Sequence, residues 1–133
     1  MAMILITKDT DYAIRALCFL ARNNGTPASV AKISKELNIS YAFLRKIMQK
    51  LNNKGILRSA KGKRGGFTLK HAADEIFVNA IIDIFQGPLE FKRCVVKHHV
   101  CPDFKNCLLR TKIEAIEDYA QKVLEPVTIK SLI

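Results

Sequence analysis

The sequence predicts a mainly α-helical fold with one small β-hairpin: a winged helix-turn-helix followed by a long C-terminal dimerisation helix. Three observations predict it. Apolar residues recur at helical spacing in successive short windows through the first third of the chain. Two strand-like runs then flank a glycine-rich basic turn. Near the C-terminus, apolar positions alternate at spacings of four and three, as in a helix that meets a partner helix. The 133 residues suffice for one compact domain with an appended element, and 49% hydrophobic content builds a core without disulfides. The expected organisation is a winged helix-turn-helix over residues 1–87, a cysteine-containing loop over 88–107, and the dimerisation helix and tail over 108–133.

From residue 9 to about 22, Ile14, Leu17, Cys18 and Ala21 line one helical face, and Asn23, Asn24 and Gly25 end the helix. Cys18 shares that stripe, so it reads as a small buried hydrophobe and not as a ligand. After Pro27 a short helix groups Val30, Ile33 and Leu37, and Asn38-Ile39 makes a tight turn. Ser40 is expected to cap the next helix by accepting from an amide of its first turn. Ile39 and Leu44 form a hydrophobic staple around that cap. Phe43, Leu44, Ile47, Met48 and Leu51 make the buried stripe, and Gly55 supplies a left-handed stop. Tyr41, Ala42, Arg45, Lys46, Gln49 and Lys50 remain outside. Two short helices across a tight turn constitute a helix-turn-helix.

Residues 56–60 and 67–69 read as strands around Lys61-Gly62-Lys63-Arg64-Gly65-Gly66, a wing with three cations near its tip. Residues 75–78 are expected to form a short strand, and Asn79 to cap an apolar helix over 80–86 that Gly87-Pro88 stops. A last helix is expected over 108–124, ended by Glu125-Pro126. Leu109, Ile113, Ile116, Ala120 and Val123 form its seam, too short for an independent coiled coil and suited to a homodimer contact.

The formal charge is +10, and its distribution is informative. Residues 1–70 carry 14 Lys/Arg against 3 Asp/Glu, whereas residues 71–133 carry 8 against 9. Such segregation is the footprint of a polyanion-binding unit. The cations do not line one amphipathic helix, which argues against a membrane surface. No apolar run approaches the roughly 20 residues that span a bilayer. The start lacks the basic flank and cleavage site of a signal peptide, so the cytoplasm, where thiols stay reduced, is the expected location. A helix fits the major groove of double-stranded DNA, which makes Ser40, Tyr41, Ala42, Arg45, Lys46 and Gln49 candidate readers. Arg45 suits a bidentate contact to guanine. Lys61, Lys63 and Arg64 on the wing suit phosphates or a minor groove. A two-fold dimer would read a palindromic site.

Three cysteines, Cys94, Cys101 and Cys107, crowd one polar stretch at gaps of six and then five residues. Core packing explains them poorly. The close Cys-x-x-Cys knuckle of structural zinc is missing. Wider spacing is compatible with a thiolate-ligated iron–sulfur cluster, which takes four ligands and finds three cysteines here. His98 and His99 are local candidates for the fourth, and Cys18 a remote one. Lys92, Arg93, Lys97 and Lys105 would offset thiolate charge. Zinc, a thiol–disulfide switch and unliganded cysteines are the competing readings.

The octapeptide Thr10-Asp11-Tyr12-Ala13-Ile14-Arg15-Ala16-Leu17, the turn-helix Ile39-Ser40-Tyr41-Ala42-Phe43-Leu44, the wing Gly62-Lys63-Arg64-Gly65-Gly66-Phe67 and the three-cysteine loop together resemble the IscR/NsrR-type regulators. These are small bacterial winged-helix repressors and activators, and the matching pieces span nearly the whole chain in the family's order. The resemblance implies a homodimer on the long C-terminal helix, a recognition helix in the major groove, and an iron–sulfur cluster that controls DNA binding. Ser40, Ala42, Arg45 and Lys46 match base-contacting positions, and Lys61 matches a wing arginine that enters the minor groove. Cys94, Cys101 and Cys107 match cluster ligands. Iron–sulfur-assembly members place a ligand histidine three residues beyond the last cysteine, where this chain has Arg110. Nitric-oxide-sensing members use an aspartate near the N-terminus of the other subunit, and Asp11 matches it. The first gap between cysteines is one residue longer than the commonest pattern.

The expectation is therefore a cytoplasmic, homodimeric, DNA-binding transcriptional regulator of repressor type. Its cluster, [2Fe–2S] in preference to [4Fe–4S], would sit on Cys94, Cys101 and Cys107 with Asp11 of the partner subunit. A winged-helix regulator switched by cysteine oxidation or a protein partner is the alternative. A small iron–sulfur electron carrier would leave the wing and the helix over 40–51 without purpose. No clustered carboxylates, phosphate-binding glycine loop or nucleophile–base signature points to an enzyme.

Overall fold

The computed structural model describes residues 5–88 and 106–133. Their order is α1 (Lys8–Arg22), α2 (Val30–Leu37), α3 (Tyr41–Asn53), β1 (Leu57–Ala60), β2 (Gly66–Leu69), a 3-10 turn (Ala73–Glu75), α4 (Val78–Gln86), α5 (Leu108–Leu124) and a final 3-10 turn (Lys130–Leu132). Leu17 of α1, Ile33 of α2 and Leu44, Met48 and Leu51 of α3 meet in one core and are fully buried. Burial of each such side chain contributes about 1.5–3 kcal/mol.

The start of α1 is held by its cap and by one distant side chain. Thr7 Oγ1 accepts from the Thr10 amide at 3.4 Å. Gln86, the last residue of α4, accepts through Oε1 from the Thr7 amide (2.9 Å) and the Thr10 hydroxyl (2.8 Å), and donates through Nε2 to the Leu5 carbonyl (3.0 Å). Thr10 is wholly buried, so this bonding spares it the cost of an unsatisfied polar group.

The wing is anchored close to its turn. β1 and β2 pair antiparallel from Leu57↔Leu69 to Ala60↔Gly66. Phe67 also exchanges two backbone bonds with Ala28, just before α2, at 2.8 and 3.1 Å. This third rung brings the Ala28 backbone against Gly66, whose φ is +154°. A Cβ there would lie 2.4 Å from the Ala28 carbonyl group.

Several expectations need correction. Ser40 precedes α3, but its side chain makes no capping bond. Buried Ile39 and Leu44, left-handed Asn38 and the Ser34 hydroxyl on the Ile39 carbonyl fix the chain there instead. Residues 75–78 do not form a strand. Phe77 makes a single bridge to Thr128, and the flanking bonds run from Val78 N–H to Val127 O (3.0 Å) and from Ile129 N–H to Ile76 O (2.9 Å). Because the C-terminal tail captures this backbone, α4 begins at Val78 with Phe77 as its cap residue. Asn79 lies inside the helix and does not cap it.

α5 spans the expected residues but no side chain on it is buried. Ala120 and Leu124 touch the small cluster of Val78 and Ile82. Higher on the seam, Leu109 remains 69% exposed and Ile116 53% exposed.

The Ala28–Gly66 approach generates a stability prediction. Gly66→Ala should lose roughly 2–3 kcal/mol in thermal denaturation followed by circular dichroism. Gly25→Ala, at an open turn with a φ of +84°, should lose only about 1 kcal/mol. Equal losses would show that Ala28 does not hold the wing.

Candidate nucleic-acid interface and metal centre

α3 is amphipathic in a way that decides what it can present. Leu44, Ile47, Met48 and Leu51 are buried on one side, and Tyr41, Ala42, Arg45, Lys46 and Gln49 are exposed on the other, with Lys50 exposed at the flank beside Phe43. These positions recur at three- and four-residue intervals, so they form one continuous outer face. Ser40 is exposed at its start, with its hydroxyl uncommitted to capping. The turn from α2 depends on Asn38 at φ +54°, a conformation that asparagine tolerates better than most residues.

At the far end of the hairpin, Lys61, Lys63 and Arg64 are all exposed. Gly65 lets the hairpin close there: a Cβ would sit 2.3 Å from the Ala60 carbonyl oxygen. Helix face and basic tip therefore belong to one framework, joined through Ala28 and β2. The arrangement can place a row of polar and cationic side chains in a groove while a second cationic point meets flanking phosphates.

The cysteine site is described in part. Cys94 and Cys101 lie outside the described residues, as do His98 and His99. Cys107 is half-buried immediately before α5, and its carbonyl accepts from the Thr111 amide and hydroxyl, each at 3.2 Å. It occupies the N-cap position of that 17-residue helix, and its side chain makes no capping bond. Cys18 is 8% exposed within the core, and burial pushes its thiol pKa up against a smaller lowering by Arg22. A thiol that resists ionisation in this way is a poor metal ligand. Arg110, in place of a ligand histidine, faces Glu114 at 3.7 Å.

Asp11 lies in the first turn of α1 with its side chain 45% exposed, paired with Arg15 at 2.9 Å. Ile14, one turn from Asp11, packs on the same small cluster as Ala120 and Leu124. Roughly 20 Å of helix axis separates Ala120 from Cys107 at 1.5 Å per residue. Thiolate and carboxylate donors suit iron chemically; Cys107 precedes the first residue of α5, whereas Ile14, one turn from Asp11, shares a cluster with Ala120 and Leu124 near its last.

Residues 6–133 match the Rrf2 family, described as iron-dependent transcriptional regulators. The chain belongs to the Rrf2 family. It is 35% identical over 132 residues to a candidate HTH-type transcriptional regulator of Aquifex aeolicus, covering 97% of this chain and 92% of that protein. Identity is 33% to the HTH-type transcriptional regulator NsrR of Halalkalibacterium halodurans, over 96% of this chain and 89% of the relative. Among solved structures, CymR, the global cysteine regulator of B. subtilis, superposes with a TM-score of 0.77 at 26% identity, covering 98% of this chain and 96% of that one. This Rrf2 protein is thus a transcriptional regulator with a winged-helix fold, not an enzyme. No helix among its described residues is long and apolar enough to cross a membrane.

Sequence reasoning missed Gln86, which ties α1 to α4. The available signal was one amide side chain ending an otherwise apolar helix, and its partners lie about 80 residues away.

The outer face and the wing should respond differently to mutation. Arg45→Ala should cost on the order of 1–3 kcal/mol on a duplex selected from a random pool, and relax base preference. Lys63→Ala should weaken selected and random duplexes alike and reduce the salt slope by about one. Equal loss on both duplexes for both variants would remove Arg45 from base readout.

Proposed function

We propose that this Rrf2 protein is a cytoplasmic homodimeric repressor that binds a palindromic operator under the control of an iron–sulfur cluster. The observation that carries the DNA-binding part is the outer face of α3, polar and cationic over a sealed inner face, beside an anchored basic wing. Ser40, Tyr41, Ala42, Arg45, Lys46 and Gln49 read the major groove. Lys61, Lys63 and Arg64 engage the flanking backbone or minor groove.

The seam of Leu109, Ile113, Ile116, Ala120 and Val123, exposed at Leu109, Ile116 and Val123, joins two copies through α5. Cys94, Cys101 and Cys107 hold the cluster, of [2Fe–2S] type, with Asp11 of the partner subunit as fourth ligand. The length of α5 between Cys107 and Ala120, which shares a cluster with Ile14 one turn from Asp11, supports a ligand supplied in trans. When bound, the cluster supplies a redox- and ligand-sensitive link between subunits. Within each subunit, Asp11 sits beside Thr10, which Gln86 holds to the end of α4. The likeness to CymR favours a second reading, a regulator without a cluster that uses cysteine oxidation or a protein partner as its switch.

Subunit mixing tests the ligand set. Anaerobically reconstituted Asp11→Ala and Cys107→Ala proteins should each lack the parent's thiolate-to-iron absorption. Mixed as heterodimers, they should regain about half of it, because one of the two sites then has a complete donor set. Loss in both variants without recovery on mixing would place Asp11 in cis. An unchanged Asp11→Ala spectrum would move the fourth ligand to His98 or His99, and a colourless parent would favour the cluster-free regulator.

A further inference from the structure

Two ammonium groups beside the outer face of α3 are held by aromatic rings. Lys8, the first residue of α1, places Nζ 5.5 Å from the centre of the Tyr12 ring and 5.7 Å from that of Phe43. The two rings meet edge to face, their centres 5.5 Å apart at 87°. Phe43 belongs to α3, so this lysine of α1 reaches the flank of the second helix. Lys50 lies two turns further along the same flank, roughly 20° around the axis from Phe43. Its Nζ stands 5.2 Å from the Phe85 ring of α4. Both lysines are exposed, and among the described residues neither is paired with a carboxylate.

The choice of rings over carboxylates has a chemical consequence. A ring attracts the cation through its quadrupole and leaves the formal charge uncompensated. It also restricts a long, rotamer-rich side chain before any ligand arrives, which lowers the ordering cost of binding. A lysine paired with Asp or Glu would first have to exchange that partner. Two pre-positioned, uncompensated ammonium groups along one helix flank suit a polyanion whose charges repeat along a line.

We propose that Lys8 and Lys50 form a phosphate-anchoring ridge on the flank of α3, a second backbone contact for duplex DNA outside the outer reading face and the wing. The ridge rests on the proposed insertion of α3 into the major groove. It would fix the depth and tilt of that helix without reading bases, since phosphate contacts position and base contacts specify. The basic surface then continues from α3 onto α1, one turn before Asp11.

The test uses the full chain, with Lys8→Met and Lys50→Met retaining the aliphatic stem, Lys8→Arg retaining the charge, and Lys130→Met as a control on the C-terminal turn. Affinity is measured by fluorescence anisotropy against salt concentration, on a random-sequence duplex and on a duplex selected from a random pool. Each Met variant at the ridge should reduce the slope of log affinity against log salt by about 0.9 and weaken both duplexes equally. Lys8→Arg and Lys130→Met should keep the parent slope, and all variants should keep the parent melting temperature. Parent slopes in both ridge variants, with a salt-dependent parent, would overturn the ridge and leave the reading face intact. Loss confined to the selected duplex would also overturn it, making these lysines positioning residues for α3. A parent that binds neither duplex would overturn the DNA-reading proposal itself.

Discussion

One-sided burial of α3 constrains everything this protein can offer a partner. Leu44, Met48 and Leu51 are fully buried and Ile47 nearly so, packed with Leu17 and Ile33 from the neighbouring helices. Turning α3 by one residue, about 100°, would drive Arg45 or Gln49 into that core. An unpaired buried cation costs several kcal/mol, more than the helix could recover elsewhere. The rotational setting of the outer face is therefore set by packing, and no capping bond from Ser40 is needed to define it. The wing inherits the same precision, because Phe67 is bonded to the residue that leads into α2.

A second constraint joins the N-terminus to the root of the cysteine loop. Gln86 ends α4, Gly87 turns the chain away at φ +78°, and the three-cysteine stretch follows. The same glutamine binds Leu5, Thr7 and Thr10, so a displacement at the root of the loop bears directly on the first turn of α1. That turn carries Lys8, in contact with Phe43 of α3, and Asp11, the proposed ligand. In the proposed dimer these adjacent residues face two tasks, Asp11 toward the partner's cluster and Lys8 toward the reading helix. A coupling of 1–3 kcal/mol between two sites is typical of such linkage.

Much of this was legible in the sequence because the governing signals were local. Periodicity gave the inner and outer faces of α3 residue by residue, the Asn38 turn and Gly55 stop were visible as residue types, and α5 falls where its spacing put it. Failures came where distant backbone competed with local pattern. The stretch around Phe77 looks like a strand, yet among the described residues its backbone bridge is a single one to Thr128 in the tail, and that pairing moved the start of α4 ahead of Asn79. Ala28 as a third rung of the wing, and Gln86 as the tie on α1, depend on contacts that no short window contains. In the candidate site, exposure of the reader and wing positions followed from alternation of apolar and polar residues. The meeting of Ile14, one turn from Asp11, with the Ala120 end of α5 required the fold.

In the proposed mechanism the state of the cysteine site changes how strongly this regulator holds DNA. That dependence is tested most directly by titrating a duplex selected from a random pool with anaerobically loaded protein, and again after the same preparation has been stripped of iron by a chelator. Cluster-controlled binding predicts affinities at least about tenfold apart, equivalent to roughly 1.4 kcal/mol, with the stripped protein still folded. Equal affinity of loaded and stripped protein for that duplex would contradict it.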